Sequence, residues 1–163
     1  MWHPVSVAKP LRAVVFALCL AVHGCTDVNG GAVELSWKLR AVTGSDETFL
    51  DCAITLGSTG QRVQVARIQL EWDVEDALNH HEIGARSWLC DDDHGVTKFE
   101  LPAGLALLHV SPMCTSSDVA LASTFKAPAP EQRNVIVGNT ISLGGVELLL
   151  EVSSCDLQPC ICQ

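Results

Sequence analysis

Apolar side chains recur at every second position through most of this chain, and that period decides its fold class. Val33, Leu35, Trp37 and Leu39 alternate with Glu34, Ser36, Lys38 and Arg40. An extended segment of this kind buries one face and wets the other, whereas on a helix the same residues would scatter around the axis. Leu50, Cys52, Ile54 and Leu56 repeat the pattern, as do Val146, Leu148, Leu150 and Val152. A third run over residues 63–72 buries Ala66, Ile68, Leu70 and Trp72, but its apolar set changes parity between Val65 and Ala66. A bulge is expected there. Turn signals at residues 43–47, at 57–60, at Gly138-Asn139 and at Gly144-Gly145 punctuate these runs. Short strands at intervals of about ten residues predict an all-β domain, a single antiparallel β-sandwich of about 7–9 short strands.

The middle of the chain reads as a hairpin over residues 95–110. Thr97, Phe99 and Leu101 form its first inward set, so the Phe99 ring is expected in the core. Pro102-Ala103-Gly104 breaks the strand, because proline removes a donor and glycine turns freely. Residues 105–110 are apolar on both alternating sets and are expected to be buried on both faces. Residues 74–84 lack strand character and read as a polar loop or one or two helical turns. Residues 86–90 form a short strand carrying Trp88, and Val119, Leu121, Ser123 and Phe125 form another. The Ala-Pro-Ala-Pro segment at 127–130 cannot join a ladder, and further strands are expected at 134–137 and 146–152.

The first residues are read as an address rather than as fold. Lys9 and Arg12 precede an unbroken apolar run over residues 13–22, and Gly24-Cys25 follows at once. That is the layout of a secretory signal, and it is too short to span a bilayer. Ala21-Val22-His23-Gly24-Cys25 resembles a bacterial lipobox, in which the cysteine is acylated and becomes the new N-terminus. The alternative is an ordinary signal peptide that leaves Cys25 for a disulfide. Residues 1–24 are thus a signal peptide, 25–31 a flexible tether and 32–163 the domain with its cysteine-rich tail. By resemblance to such lipoproteins, Thr26 after the cysteine implies the outer membrane, on its periplasmic or cell-surface side. Removing residues 1–24 leaves 8 basic against 19 acidic side chains, a net charge of −11. So acidic a surface argues against nucleic acid as a partner and leaves the membrane, reached through acyl chains, and a protein or glycan ligand.

Gly95, Thr97, Phe99, Leu101, Pro102, Gly104, Leu108 and Val110 together resemble the core motif of transthyretin-like, carboxypeptidase-regulatory-type sandwich domains. The tyrosine that usually follows the second glycine is absent, with Ala106 near its place. The resemblance implies a transthyretin-like or immunoglobulin-like sandwich. From Cys25 through Val33 to the tail, the chain also resembles small lipoproteins of myxobacteria, a likeness that implies no activity.

Six cysteines remain beyond Cys25: Cys52, Cys90, Cys114, Cys155, Cys160 and Cys162. In an exported domain this even number implies disulfides. Cys52 lies on the inward side of its strand, so its partner should be buried, and Cys90 beside Trp88 is the first choice. Cys114 with a tail cysteine is the second. Cys160 and Cys162 point opposite ways on an extended tail and should not pair with each other. The bridges should tie the tail to the body, since Leu157 and Ile161 alone would not offset its backbone entropy. A zinc site at the tail is disfavoured in an oxidising compartment.

Non-catalytic binding or structural work is the expected role, without a cofactor. The rival is a metal-dependent hydrolase using His80, His81 and the run Asp91, Asp92, Asp93. Three consecutive carboxylates splay apart, however, and His80-His81-Glu82 lacks the spacing of a zinc-binding helix. A glycan-binding module would need Trp88 exposed, since Trp37 and Trp72 fall on inward faces.

Overall fold

The protein is described by a computed structural model covering residues 28–42, 49–57, 59–115, 117–153, 155 and 158–163. The signal peptide expected at 1–24, Cys25 and the turn expected at 43–47 lie outside these residues. Eleven strands occur among them: β1 (Ala32–Ala41), β2 (Phe49–Leu50), β3 (Ala53–Thr55), β4 (Arg62–Gln64), β5 (Arg67–Glu75), β6 (His81–Leu89), β7 (His94–Val96), β8 (Gly104–Met113), β9 (Phe125–Lys126), β10 (Glu131–Val135) and β11 (Thr140–Leu150). With three disulfides, the protein is an all-β, disulfide-bearing domain.

The strands form a five-stranded sheet ordered β2-β1-β11-β9, with β7 also on β1, a four-stranded sheet ordered β10-β8-β5-β6, and the small pair β3-β4. Alternation drives the burial. Val33, Leu35, Trp37 and Leu39 of β1 and Val146, Leu148 and Leu150 of β11 share one buried cluster with Ile68, Leu70, Trp72 and Val74 of β5 and Ala106, Leu108 and Val110 of β8. Both sheets therefore spend their apolar faces on the same core.

Several sequence expectations change on contact with the structure. The sheets are not wholly antiparallel, because β1 and β11 run parallel along their length. The reason is the connection before β11. The turn at residues 136–139 carries the chain from the four-stranded sheet to the start of β1, where Asn139 accepts a hydrogen bond from Ala32. The expected hairpin at 95–110 is also absent. β7 pairs with β1 and β8 with β5, so the Pro102 break carries the chain between two sheets. Thr97 and Leu101 are buried as expected, but Phe99 is 41% exposed, because residues 98–100 bow outward in the crossing. Over residues 105–110 of β8, Leu105 and Leu107 are exposed, so in that stretch only the even set is core.

The parity change at Val65 and Ala66 is a switch of sheet rather than a bulge. Val65 donates its amide to Cys52 beside the β3–β4 pair, while Ala66 donates to Met113 in the four-stranded sheet. The bulge lies elsewhere, at Gly144-Gly145, which was expected as a turn. Register shifts opposite residues 34–36 of β1, and Gly144 takes φ +64°, a conformation that favours glycine. Residues 74–84 are not a loop. β5 and β6 continue through them around a tight turn at residues 76–80. The segment 119–125 is one isolated bridge at Val119, a 3-10 turn at Ala122–Thr124 and the short β9.

The two ends of the domain are closed differently. At the end where the chain enters β1, Gly31 exchanges backbone hydrogen bonds with Leu101, and Gly30 accepts one from Gly138. Gly30 and Gly31, counted with the tether, are part of the fold. At the opposite end lie the disulfides Cys52–Cys90, Cys114–Cys162 and Cys155–Cys160. The first two follow the pairing preferences read from the sequence. The third closes a small loop within the tail, so only Cys162 ties the tail covalently to the body. Ile161 is fully buried and donates its amide to Glu151, which helps to dock the tail.

Two measurements check this account. Leu101→Ala should cost roughly 2–5 kcal/mol of stability by opening a core cavity, while Phe99→Ala should cost about 0.5 kcal/mol or less. Similar losses in denaturant titrations would mean that Phe99 is packed. Cys52 and Cys90 are separated by 38 residues, and Cys155 and Cys160 by 5. In a chain-entropy treatment, replacing the first pair by alanines costs about 4 kcal/mol and the second about 2 kcal/mol. Equal losses would overturn that ordering.

Candidate functional site

Two stretches of surface concentrate chemistry-bearing side chains. The first is the outer face of the four-stranded sheet. Even residues of β5 point into the core, so Arg67, Gln69, Glu71, Asp73 and Glu75 point outward. Register places Asp73 between Ile83 of β6 and Leu107 of β8, and Glu71 between Ala85 and His109. Ile83 is 77% exposed, and Leu105 and Leu107 are also exposed. These groups form an open depression of about 460 Å³ with an apolar floor and an acidic seam.

Two histidines lie against that seam. His81 Nδ1 is 2.8 Å from Asp73 Oδ1, and His109 Nδ1 is 3.7 Å from Glu71 Oε2. The hydrogen bond to Asp73 holds the His81 imidazole above its ordinary value. At the hairpin tip, Asp76 accepts the amides of His80 and Leu78 through Oδ1, and His80 Nδ1 lies 3.2 Å from Oδ2. The His80 amide, with that of Leu78, holds the Asp76 carboxyl below its ordinary range. Asn79 occupies the left-handed region at φ 59° and closes the turn.

Among the described residues β6 pairs with β5 alone, so its other edge is open. Cys90 donates its amide to Ala66 at the end of the ladder, which makes the even residues of β6 the ones bonded to β5. The peptide groups of His81, Ile83 and Ala85 therefore face outward. Arg67 closes the far part of this edge by donating to the Ser87 carbonyl at 2.8 Å and to its hydroxyl at 2.9 Å.

The second stretch is an open depression of about 580 Å³ between β1, β2 and the 3-10 turn at Cys90–Asp92. Asp51, Asp91, Asp93 and Lys38 line it, with Phe49 at its rim. Lys38 Nζ lies 4.6 Å from the centre of the Phe49 ring. Asp92 faces another depression with Arg67 and Arg86, so the carboxylate run splays apart.

The constellation proposed for a hydrolase is not assembled. His80 precedes β6, His81 opens it and Asp91–Asp93 follow it, so the nine-residue strand, roughly 26 Å long at ~3.3 Å per step, holds them apart. The two histidines are engaged in different pairs, and no group of three metal-ligating side chains occurs among the described residues. Trp88 is half-buried. Its ring lies where a Cβ on Gly95 would stand, and its centre is 6.2 Å from that of Trp37. Trp37 in turn donates its indole N–H to the Cys90 carbonyl at 2.8 Å. This corner of Trp37, Trp88 and the Cys52–Cys90 bridge is packing, with its one buried indole donor satisfied.

The outward acidic and apolar face is the feature that sequence reading missed. Alternation marked Glu71 and Asp73 as solvent-facing, but Ile83 was hidden in a stretch read as loop. The signal available was Asp76-Ala77-Leu78-Asn79, an aspartate and an asparagine spaced for a turn between two extended runs.

No family model, curated protein or solved structure matches this chain.

The pKa shifts carry a testable consequence. Folding favours the protonated His81, so its contribution is complete below the ordinary value of 6.5 and is lost as pH rises through the raised one. Asp76 works in the opposite sense. Its contribution is complete above 3.8 and is lost as pH falls through the lowered value. The hairpin tip is therefore best held between those two ordinary values. Asp73→Asn should return the His81 midpoint toward 6.5 in an NMR titration of its ring protons. An unchanged midpoint would mean that the pair does not form in solution.

Proposed function

We propose that this protein is a non-catalytic lipoprotein of the bacterial cell envelope, held to the outer membrane through Cys25. Its domain is a β-sandwich of the transthyretin-like or immunoglobulin-like kind, made of two sheets on one core. The observation that carries this reading is the cysteine pairing. All six cysteines beyond Cys25 are bonded to one another. Once the signal peptide with Cys19 is removed, Cys25 has no partner within the chain. A disulfide at Cys25, the alternative to acylation, would need a second molecule. A domain closed by three disulfides also suits an oxidising compartment.

The binding work falls to the outer face of the four-stranded sheet. Its exposed Ile83, Leu105 and Leu107 beside Glu71, Asp73 and Glu75 suit a partner protein with apolar and basic side chains. Among the described residues that face carries no exposed tryptophan, and Trp88 is turned toward Trp37, so a protein ligand is favoured over a glycan.

Cys25→Ser tests the anchor. The wild-type protein should incorporate labelled fatty acid and fractionate with membranes. The variant should do neither, accumulating as released or uncleaved protein. A wild-type protein that takes up no fatty acid would overturn the reading.

A further inference from the structure

Exposed apolar side chains gather where the chain enters the domain, at the end that also carries Lys98, Glu100 and the acidic turn at residues 76–80. The crossing at residues 98–100 and the turn at 136–138 both lie against the entering chain, through the bonds of Leu101 to Gly31 and of Gly138 to Gly30. Their tips carry Phe99, Ile136 and Val137, of which Ile136 is 52% and Val137 49% exposed, and Val28 is exposed just before the fold begins. Four apolar side chains thus ring the point of chain entry, although they belong to three segments far apart in sequence.

Five residue steps separate Cys25 from Gly30, and at ~3.6 Å each this end lies within about 18 Å of the acylated cysteine. A tether of that length confines the domain to the bilayer surface without orienting it. We propose that Val28, Phe99, Ile136 and Val137 are a membrane-contact surface, set into the interface of a zwitterionic phospholipid bilayer, so that the domain stands on this end with its disulfides outermost. The inference rests on the lipid anchor at Cys25. The choice of lipid follows from charge: a mature net charge of −11 is repelled by an anionic surface. Lys98 and Glu100 flank Phe99 and cancel, while Glu75 and Asp76 at the neighbouring turn add to that repulsion. Apolar side chains in the headgroup region add to the binding that acyl chains supply.

The backbone supplies the readout. The amides of Lys98, Phe99, Ile136 and Val137 donate to no group among the described residues, so in water they exchange without protection. The acylated full-length product is placed on phosphatidylcholine–phosphatidylethanolamine vesicles and followed by hydrogen-exchange mass spectrometry, with its intact mass reporting the acyl chains. These four amides should slow by tenfold or more relative to unstructured rates, while the amide of Leu121, exposed at the disulfide end, should not. In Phe99→Ser/Ile136→Ser/Val137→Ser, which alters only exposed side chains, the slowing should vanish with the acyl mass retained. An acylated protein whose four amides stay fast, or whose Leu121 slows instead, overturns the contact surface and leaves the anchor standing. A protein without the acyl mass overturns the anchor, and this inference with it.

Discussion

Strand β1 begins the fold and depends on nearly all of it. Its peptide groups are satisfied on one edge by β11 and on the other by β7 and β2. The Ser36 hydroxyl reaches the Gly144 carbonyl, 108 residues later in the chain. A central strand with unmet donors and acceptors would be costly in a dry core. The first strand therefore cannot be stable until the last is made. Such long-range parallel pairing forms slowly, because loop closure must precede the contacts that reward it. The Gly144 bulge belongs to the same constraint. It absorbs one residue of mismatch so that Val146, Leu148 and Leu150 keep facing the cluster that Trp37 and Leu39 enter.

The two ends of the domain solve the closure problem with different chemistry. At the end where the chain enters β1, backbone hydrogen bonds among Gly30, Gly31, Leu101 and Gly138 clasp both crossings to the first strand. At the far end, the chain switches sheet at Val65 and Ala66, and the tail arrives with few apolar residues of its own. There the Cys52–Cys90 bridge joins the two sides of the switch. Its Cys90 carbonyl accepts the Trp37 indole, so the crosslink, the ring and the 3-10 turn hold one another. Covalent restraint sits where the chain changes sheet and where the tail joins the body.

Much of this was legible because alternation is a local signal. The inward sets of β1, β5 and β11 follow from residue parity alone, and so does the inward Cys52. Parity also marked residues 65–66, but it could not say whether the irregularity was a bulge or a change of sheet. That depends on where Ala66 finds its acceptor, which is Met113 in a distant strand. The misplaced Phe99 has the same origin. Thr97 and Leu101 keep the period, yet the chain between them leaves the ladder to cross between sheets, and an aromatic residue at the crest of a crossing follows no period. The second half of β6 was read as the short strand at 86–90, but its first half was illegible for a different reason. As an edge strand it is exposed on both sides, so His81, Glu82 and Ile83 carry no amphipathic contrast to read.

That edge also bears on how the surface is used. A long open edge with Ile83 exposed is a template for pairing with another chain. Three features oppose this pairing. Arg67 occupies the Ser87 carbonyl, Glu82 and Arg86 place opposite charges along the strand, and the half-buried Trp88 holds its last turn against Gly95. What remains open is the short run from His81 to Ala85, beside the acidic seam of β5. A partner there would meet three outward peptide groups, an apolar floor and carboxylates within one patch. Its contribution from backbone pairing would be limited to that run, leaving charge and the fit to Ile83 and Leu107 to set its specificity.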